Sequence, residues 1–190
     1  MIRGIIFDCF GVLYVNARRT YFSNFPEQHD ALYDLDKLAD HGYIGRRDYI
    51  TSVAEITGIS ETETAKAFAH EYTVNKQLID YIKRQLKPSH KIGLLSNIGR
   101  EWIQDFFDTQ QLHDLFTATV LSGEEGITKP NPLIFERTAQ RLGLVPEECI
   151  MIDDRSENCQ AANKIGMKSI VYTSNDQLQT GIEAIIKENL

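Results

Sequence analysis

Short apolar runs alternate with longer segments of helical spacing through most of this 190-residue chain. A short apolar run bounded by polar or turn residues is typical of a buried strand, and strands that alternate with helices favour a parallel sheet. The alternation predicts an α/β fold, with a Rossmann-like, doubly wound parallel sheet covered by helices on both faces. The predicted strands are IRGIIFD (2–8), HKIGLLSN (90–97), ATVLSG (118–123), CIMIDD (149–154) and KSIVYT (168–173).

Helical spacing is found between and after these strands. The segments are REWIQDFFDTQQL (100–112), NPLIFERTAQRLG (131–143) and SENCQAANKIG (156–166), and the tail NDQLQTGIEAIIKENL (175–190) begins with capping residues.

Residues 15–74 interrupt the alternation, because no strand is predicted there. Three helices are predicted instead, over DALYDLDKLADHG (30–42), GRRDYITSVAEITG (45–58) and SETETAKAFAHEY (60–72). The letters SETE have the form of a capping box. We therefore predict an all-helical insertion of residues 15–74 in a core made of residues 1–14 and 75–190.

Composition excludes several classes of function. A formal net charge of −7 disfavours a nucleic-acid partner, because nucleic-acid-binding domains usually present a basic face. No apolar stretch approaches the roughly 20 residues of a membrane span, and the first residues do not form a signal peptide. We expect a cytoplasmic protein without a membrane partner. The three cysteines lack metal-binding spacing, so we expect buried free thiols.

Acidic residues end two of the predicted strands. Asp8 ends the first, and Asp153 and Asp154 end the fourth. A single aspartate at a strand end is often only a helix cap, but strands of a parallel sheet place their carboxyl ends at one edge. Carboxylate oxygens from two strands are the ligands that Mg²⁺ prefers.

Complementary polar groups follow other strands. Ser96 and Asn97 precede a predicted helix start, a position where hydroxyl and amide donors hold an anion. Lys129 lies between a strand and a helix, where it can neutralise a phosphoryl group. A nucleophilic carboxylate, a cation and anion donors together indicate a phosphoryl-transfer site.

Four motifs in this order resemble those of the haloacid dehalogenase superfamily, specifically phosphatase-type members with a small helical cap after the first strand. The motifs are FDCFGVL (7–13), LLSN (94–97), KPNP (129–132) and IDDRSENCQAA (152–162). The resemblance implies that residues 15–74 form the cap. It also implies that Asp8 is the nucleophile that forms an aspartyl-phosphate, that Ser96 and Asn97 bind the phosphoryl oxygens and that Lys129 balances their charge.

The resemblance further implies an Mg²⁺ cofactor and a small phosphorylated substrate. The metal would be held by Asp8, by the backbone carbonyl of Phe10, by Asp154 directly, and by Asp153 as a second or water-mediated ligand. Phe10 departs from the phosphatase pattern, which has an aspartate there as general acid and base. The loss of such a group typically slows a reaction about 10²–10⁴-fold.

Three interpretations of Phe10 remain open at this point. The protein is a phosphatase that recruits another acid or accepts good leaving groups, a binding or regulatory protein with a weakened site, or a 2-haloacid dehalogenase. Dehalogenases of the family carry an aromatic residue at this position, but they do not use Mg²⁺ and lack the paired acid. Arg18, Arg19, Arg46 and Arg47 could bind a substrate anion, although exposed helix faces are the favoured reading. The sequence leaves the substrate and the oligomeric state undecided.

Overall fold

The strands are the first feature of the fold. The computed structural model describes residues 1–15, 22–70 and 72–189, and within them a five-stranded parallel sheet forms the centre. Its strands are β1 (Gly4–Phe7), β4 (Lys91–Ser96), β5 (Ala118–Leu121), β6 (Cys149–Asp153) and β7 (Lys168–Val171), in the order β5-β4-β1-β6-β7. Two further strands, β2 (Tyr14–Val15) and β3 (Thr73–Val74), pair antiparallel. The predicted parallel sheet is confirmed.

Both faces of the sheet are buried, which explains why the strands are apolar throughout. Ile5 and Phe7 pack on one face of β1, whereas Ile6 packs on the other. The register places Ile6 between Gly93 of β4 and Met151 of β6. A central strand of this kind has no solvent face, so it reads as a continuous apolar run.

The three predicted helices of the insertion are present. They are α1 (His29–Asp40), α2 (Arg46–Thr57) and α3 (Glu61–His70). The last shows one half of the predicted capping box, because the backbone N–H of Glu63 donates to the Ser60 hydroxyl at 3.3 Å. The Glu63 carboxylate accepts from that hydroxyl at 2.6 Å. We call residues 22–70 the helical insertion.

The remaining helices surround the sheet. They are α4 (Lys76–Tyr81, continued by a π-helical turn over Ile82–Leu86), α5 (Thr109–Leu115), α6 (Ser122–Glu125), α7 (Pro132–Arg141), α8 (Ser156–Lys164) and α9 (Asn175–Glu188). Helices α7 and α8 cover one face, and α4 and α9 cover the other. Within the described residues, no helix combines the length and the apolar character needed to cross a bilayer.

Two details of the prediction were wrong. Residues 100–112 do not form one helix, because a 3₁₀ turn (Trp102–Asp105) is followed by a break at Asp108. That residue caps α5 through a reciprocal pair of hydrogen bonds with Gln111, at 2.8 and 3.0 Å, so a new helix starts there. Strands β2 and β3 were not predicted, because two residues are too few to show a period.

The helical insertion packs against the carboxyl edge of the sheet. The Ser122 hydroxyl donates to the Asp40 carbonyl at 2.5 Å, and Tyr49 packs edge-on against Trp102 with 4.7 Å between ring centroids. Gly42, which follows α1, has a φ of 73° and lies against the backbone of Gly123. A side chain at Gly42 would overlap the Gly123 carbonyl oxygen, so only glycine permits this approach.

Substitution of Gly42 tests how strongly this contact holds the two parts together. Gly58 is a matched control, because its φ is 72° and nothing lies within 4 Å of an added Cβ. Gly58→Ala should cost about 1 kcal/mol of unfolding free energy, for the left-handed backbone alone. Gly42→Ala should cost a further 1–3 kcal/mol or so, because of overlap. Urea unfolding of both variants measures the difference, and equal costs would contradict the packing described.

Candidate active site

The polar residues that follow three neighbouring strands lie together at the carboxyl edge of the sheet. Asp8 follows β1, Ser96 ends β4, and Asp153 ends β6 with Asp154 next in the chain. Strand β1 lies between the other two, so these side chains converge by topology. Asp8, Ser96 and Asp153 are buried, and Asp154 is half-buried.

Lys129 reaches this edge from the loop after α6 and ties the strand ends together. Its ammonium group donates to Asp8 Oδ1 at 2.7 Å, to Asp153 Oδ2 at 2.7 Å and to the Leu95 carbonyl at 3.2 Å. These three bonds use all three of its N–H donors. The side chain is only 1% exposed, so its charge is neutralised by protein groups and not by water.

Asp153 is oriented by further donors. Its Oδ1 accepts hydrogen bonds from the backbone N–H of Arg155 and from the Asn158 amide, both at 2.9 Å. Sequence reasoning gave Asn158 no role, although its place five residues after Asp153, in the first turns of α8, is a signal that could have been used. Both oxygens of Asp153 are therefore engaged by protein donors.

The charges of the clustered residues favour the binding of a cation. Asp8, Asp153 and Asp154 place carboxylate oxygens within 4.8 Å of one another. Burial raises the pKa of Asp8 to about 8; Lys129 opposes this increase, and the two other carboxylates add to it. Burial alone would lower the pKa of Lys129, but Asp8 and Asp153 outweigh it and hold that pKa above its ordinary value.

The donor set fits a divalent metal. Three carboxylates converge within 4.8 Å of one another, and Lys129 forms ion pairs with two of them, Asp8 and Asp153. Oxygen ligands of this kind suit Mg²⁺. Gly11 has a φ of 89°, and a side chain there would overlap the Asp154 carboxylate. Gly11 therefore leaves the space in which Asp154 turns toward the cluster.

Ser96 and Asn97 differ in what their side chains do. Among the described residues, the buried Ser96 hydroxyl has no hydrogen-bond partner. The Asn97 amide instead holds the Lys129 backbone, since it donates to the Lys129 carbonyl at 3.0 Å and accepts from the Lys129 N–H at 2.8 Å. The predicted helix start after these residues is wrong, because a loop and then a 3₁₀ turn follow β4.

Phe10 belongs to an aromatic cluster. Its ring centroid lies 5.2 Å from that of Tyr72 and 4.9 Å from that of Phe106, and these two rings are 4.6 Å apart. Tyr14, which forms a backbone bridge with Phe10, packs edge-on against Phe106 at 5.2 Å. The position that carries an acid in the phosphatase pattern is thus surrounded by rings.

Two of the four arginines that the sequence singled out, Arg46 and Arg47, are exposed on α2. Arg46 forms an ion pair with Asp105 at 2.9 Å, and both side chains are more than two-fifths exposed. Arg18 and Arg19 lie outside the described residues, so their placement stays a prediction.

Comparison with protein families gives a match that extends over most of the chain. The family model described as haloacid dehalogenase-like hydrolase matches residues 2–166. A glyceraldehyde 3-phosphate phosphatase of Methanopyrus kandleri is 42% identical over 60 residues, which are 31% of this chain and 26% of that protein. The alignment thus spans about a quarter of that relative's length.

Solved structures share the fold. A haloacid dehalogenase-family enzyme from Bacteroides thetaiotaomicron, in complex with magnesium and inorganic phosphate, aligns with a TM-score of 0.78 at 24% identity, over 92% of this chain and 96% of that one. An L-2-haloacid dehalogenase from Xanthobacter autotrophicus with covalently bound chloropropionic acid aligns with a TM-score of 0.63 at 16% identity, over 94% and 81%. At these identities the likeness concerns the fold.

The Ser96 hydroxyl should add nothing to stability. Ser96→Ala should leave the unfolding free energy unchanged or higher, because the buried hydroxyl is desolvated without a partner. Ser122 is a matched control at the end of the neighbouring strand, where its hydroxyl bonds the Asp40 carbonyl and the Ile98 N–H. Ser122→Ala should cost about 1–3 kcal/mol. Denaturant unfolding measures both, and equal losses would show that Ser96 has a structural partner.

Proposed function

We propose that this chain, which belongs to the haloacid dehalogenase-like hydrolases, is an Mg²⁺-dependent phosphatase that cleaves small phosphate monoesters through Asp8. One observation carries the proposal, which is the convergence of three carboxylates, Asp8, Asp153 and Asp154, at the carboxyl edge of the sheet. Carboxylates this close repel one another, and a bound cation removes that repulsion. The unpartnered Ser96 hydroxyl beside it supports an anionic ligand.

The metal would be held by Asp8, Asp154 and the backbone carbonyl of Phe10. Asp153 has both oxygens engaged by protein donors, which favours its predicted water-mediated role over direct coordination. Bound Mg²⁺ would neutralise charge on the phosphoryl group. It would also lower the pKa of Asp8 and so favour the ionised carboxylate, which is the form that attacks phosphorus.

Asp8 acts as the nucleophile in this proposal. Its carboxylate oxygen forms a bond to phosphorus while the ester oxygen leaves, and water then attacks phosphorus to release orthophosphate and restore the carboxylate. Ser96 donates to the phosphoryl oxygens, and Lys129 offsets their charge. The Asn97 amide holds the Lys129 backbone in place, and its contact with the substrate stays a prediction.

Phe10 cannot protonate the leaving oxygen, so the leaving group must depart as a stable anion or take its proton from water. Two alternatives stay open for the same reason. A weakly active binding protein is consistent with the missing acid, and a metal-independent 2-haloacid dehalogenase is consistent with the aromatic residue. The three converging carboxylates disfavour the dehalogenase, because they would repel the carboxylate of its substrate.

The domain division and the location are also proposals. We infer that residues 15–74 act as a cap on a core of residues 1–14 and 75–190. The pairing of β2 with β3 supports this division, since it joins the two chain segments that lead into and out of the insertion. Three buried free thiols are consistent with a cytoplasmic location.

Metal binding can be measured without activity. Calorimetric titration should show one Mg²⁺ site, and Asp154→Asn should weaken it by about ten-fold or more. Asp80→Asn, at an exposed position on α4, should leave the affinity unchanged. Hydrolysis of p-nitrophenyl phosphate should require Mg²⁺, stop on chelation and fall by roughly a thousand-fold or more in Asp8→Asn. Full activity in a chelator would contradict the proposed mechanism.

A carboxyl group at position 10 should restore acid–base help. Phe10→Asp should raise steady turnover of alkyl phosphates by about ten-fold or more, because an alkoxide leaves badly without a proton. Phe10→Asn is the control, since asparagine matches aspartate in size and polarity but has no acidic group. The wild type should show an initial burst on aryl phosphates, because the aspartyl-phosphate lacks a base for its hydrolysis. If Phe10→Asp folds and binds Mg²⁺ without any gain, another acid already serves the site.

A further inference from the structure

A cavity of about 220 Å³ lies between the helical insertion and the core. Aromatic side chains dominate its wall: Tyr14, Tyr49, Phe68, Tyr72, Trp102 and Phe106. It belongs to neither the metal cluster nor the lysine loop, so the chemistry described above does not account for it.

The cavity adjoins the proposed site through Phe10. Tyr72 and Phe106 line the cavity, and the ring of Phe10 contacts both, at 5.2 and 4.9 Å between centroids. Phe10 is two residues from Asp8, at the position where the phosphatase pattern has its general acid. The cavity wall is therefore in contact with the residue that stands in place of that acid.

Four of the polar side chains in the cavity wall are engaged with other protein groups. The Tyr14 hydroxyl donates to the Phe106 carbonyl, and the Tyr49 hydroxyl donates to Asp36 at 2.5 Å. Arg46 is paired with Asp105 at 2.9 Å. A sugar or polyol would lose hydrogen bonds to water here and find few in return, whereas a flat apolar ring would lose none. The aromatic side chains of the wall would contact such a ring through their faces and edges.

We propose that the substrate is an aryl phosphate, a phosphate ester of a phenol-type ring, whose ring occupies this cavity during the reaction. This inference rests on the proposed phosphatase function. The size is suitable, since an apolar cavity of roughly 150 Å³ is enough for a benzene ring. The chemistry agrees as well, because a phenolate leaves without the proton that Phe10 cannot supply.

Two phosphate esters whose leaving groups have similar acidity distinguish recognition of the ring from the ease with which the leaving group departs. Phenyl phosphate and hexafluoroisopropyl phosphate release groups of similar acidity, but only one of them is a ring. The phenyl ester should have a kcat/KM higher by about ten-fold or more, with most of the difference in KM, because aromatic contacts add to ring burial. Acetyl phosphate, which has no ring and needs no proton, reports the phosphatase reaction itself.

Binding has an independent readout, because Trp102 is the single tryptophan of the chain and lines the cavity. With Mg²⁺ present, phenylphosphonate should change Trp102 fluorescence and bind at least about ten-fold more tightly than methylphosphonate. Ile50 also lines the cavity, so Ile50→Phe should fill it and weaken phenylphosphonate binding by a similar factor. Leu38→Phe, at an exposed position on α1, is the matched control and should change nothing.

The outcomes are distinguishable. The inference is supported if phenylphosphonate binds more tightly than methylphosphonate and this difference is lost in Ile50→Phe but kept in Leu38→Phe. If the protein hydrolyses acetyl phosphate but has equal kcat/KM for the phenyl and hexafluoroisopropyl esters, the aryl phosphate inference is wrong and the phosphatase function stands. Failure to hydrolyse acetyl phosphate or to bind inorganic phosphate overturns the phosphatase function. If Ile50→Phe does not fold, the wild-type comparison of the two esters decides alone.

Discussion

The ion pairs of Lys129 with Asp8 and Asp153 are the interaction on which the site depends. They join the ends of β1 and β6 to the loop before α7, and the bond to the Leu95 carbonyl adds β4. Buried charges are tolerated only when they are paired and hydrogen-bonded. The Asn97 amide holds the lysine backbone, so the geometry of three strand ends rests on one buried cation.

The same cluster is left incomplete by the protein alone. Three carboxylates converge, burial raises the pKa of Asp8 to about 8, and the Ser96 hydroxyl lacks a described partner. Converging carboxylates fit a cation, and a donor without a protein partner fits an anion.

The helical insertion supplies a second, apolar environment beside this charged edge. Tyr49 and Phe68 of the insertion line the cavity together with Tyr72, Trp102 and Phe106, and the Phe10 ring contacts Tyr72 and Phe106. Charge chemistry and ring recognition are thus placed on different parts of the fold. The missing acid at position 10 and the aromatic wall are both consistent with a substrate whose leaving group departs without a proton.

The sequence by itself determined the sheet and most of the charged site, because apolar strands buried on both faces are evident as runs and parallel strands bring their polar ends to one edge. Asp8, Ser96, Asp153 and Asp154 were found in this way, and Lys129 was found from its place between a strand and a helix. The tertiary structure alone decided that Asn97 holds Lys129 and that residues 10 and 14 join residues 72 and 106 in one aromatic cluster. These contacts join residues far apart in the chain, and their side-chain packing leaves no periodic trace in the sequence.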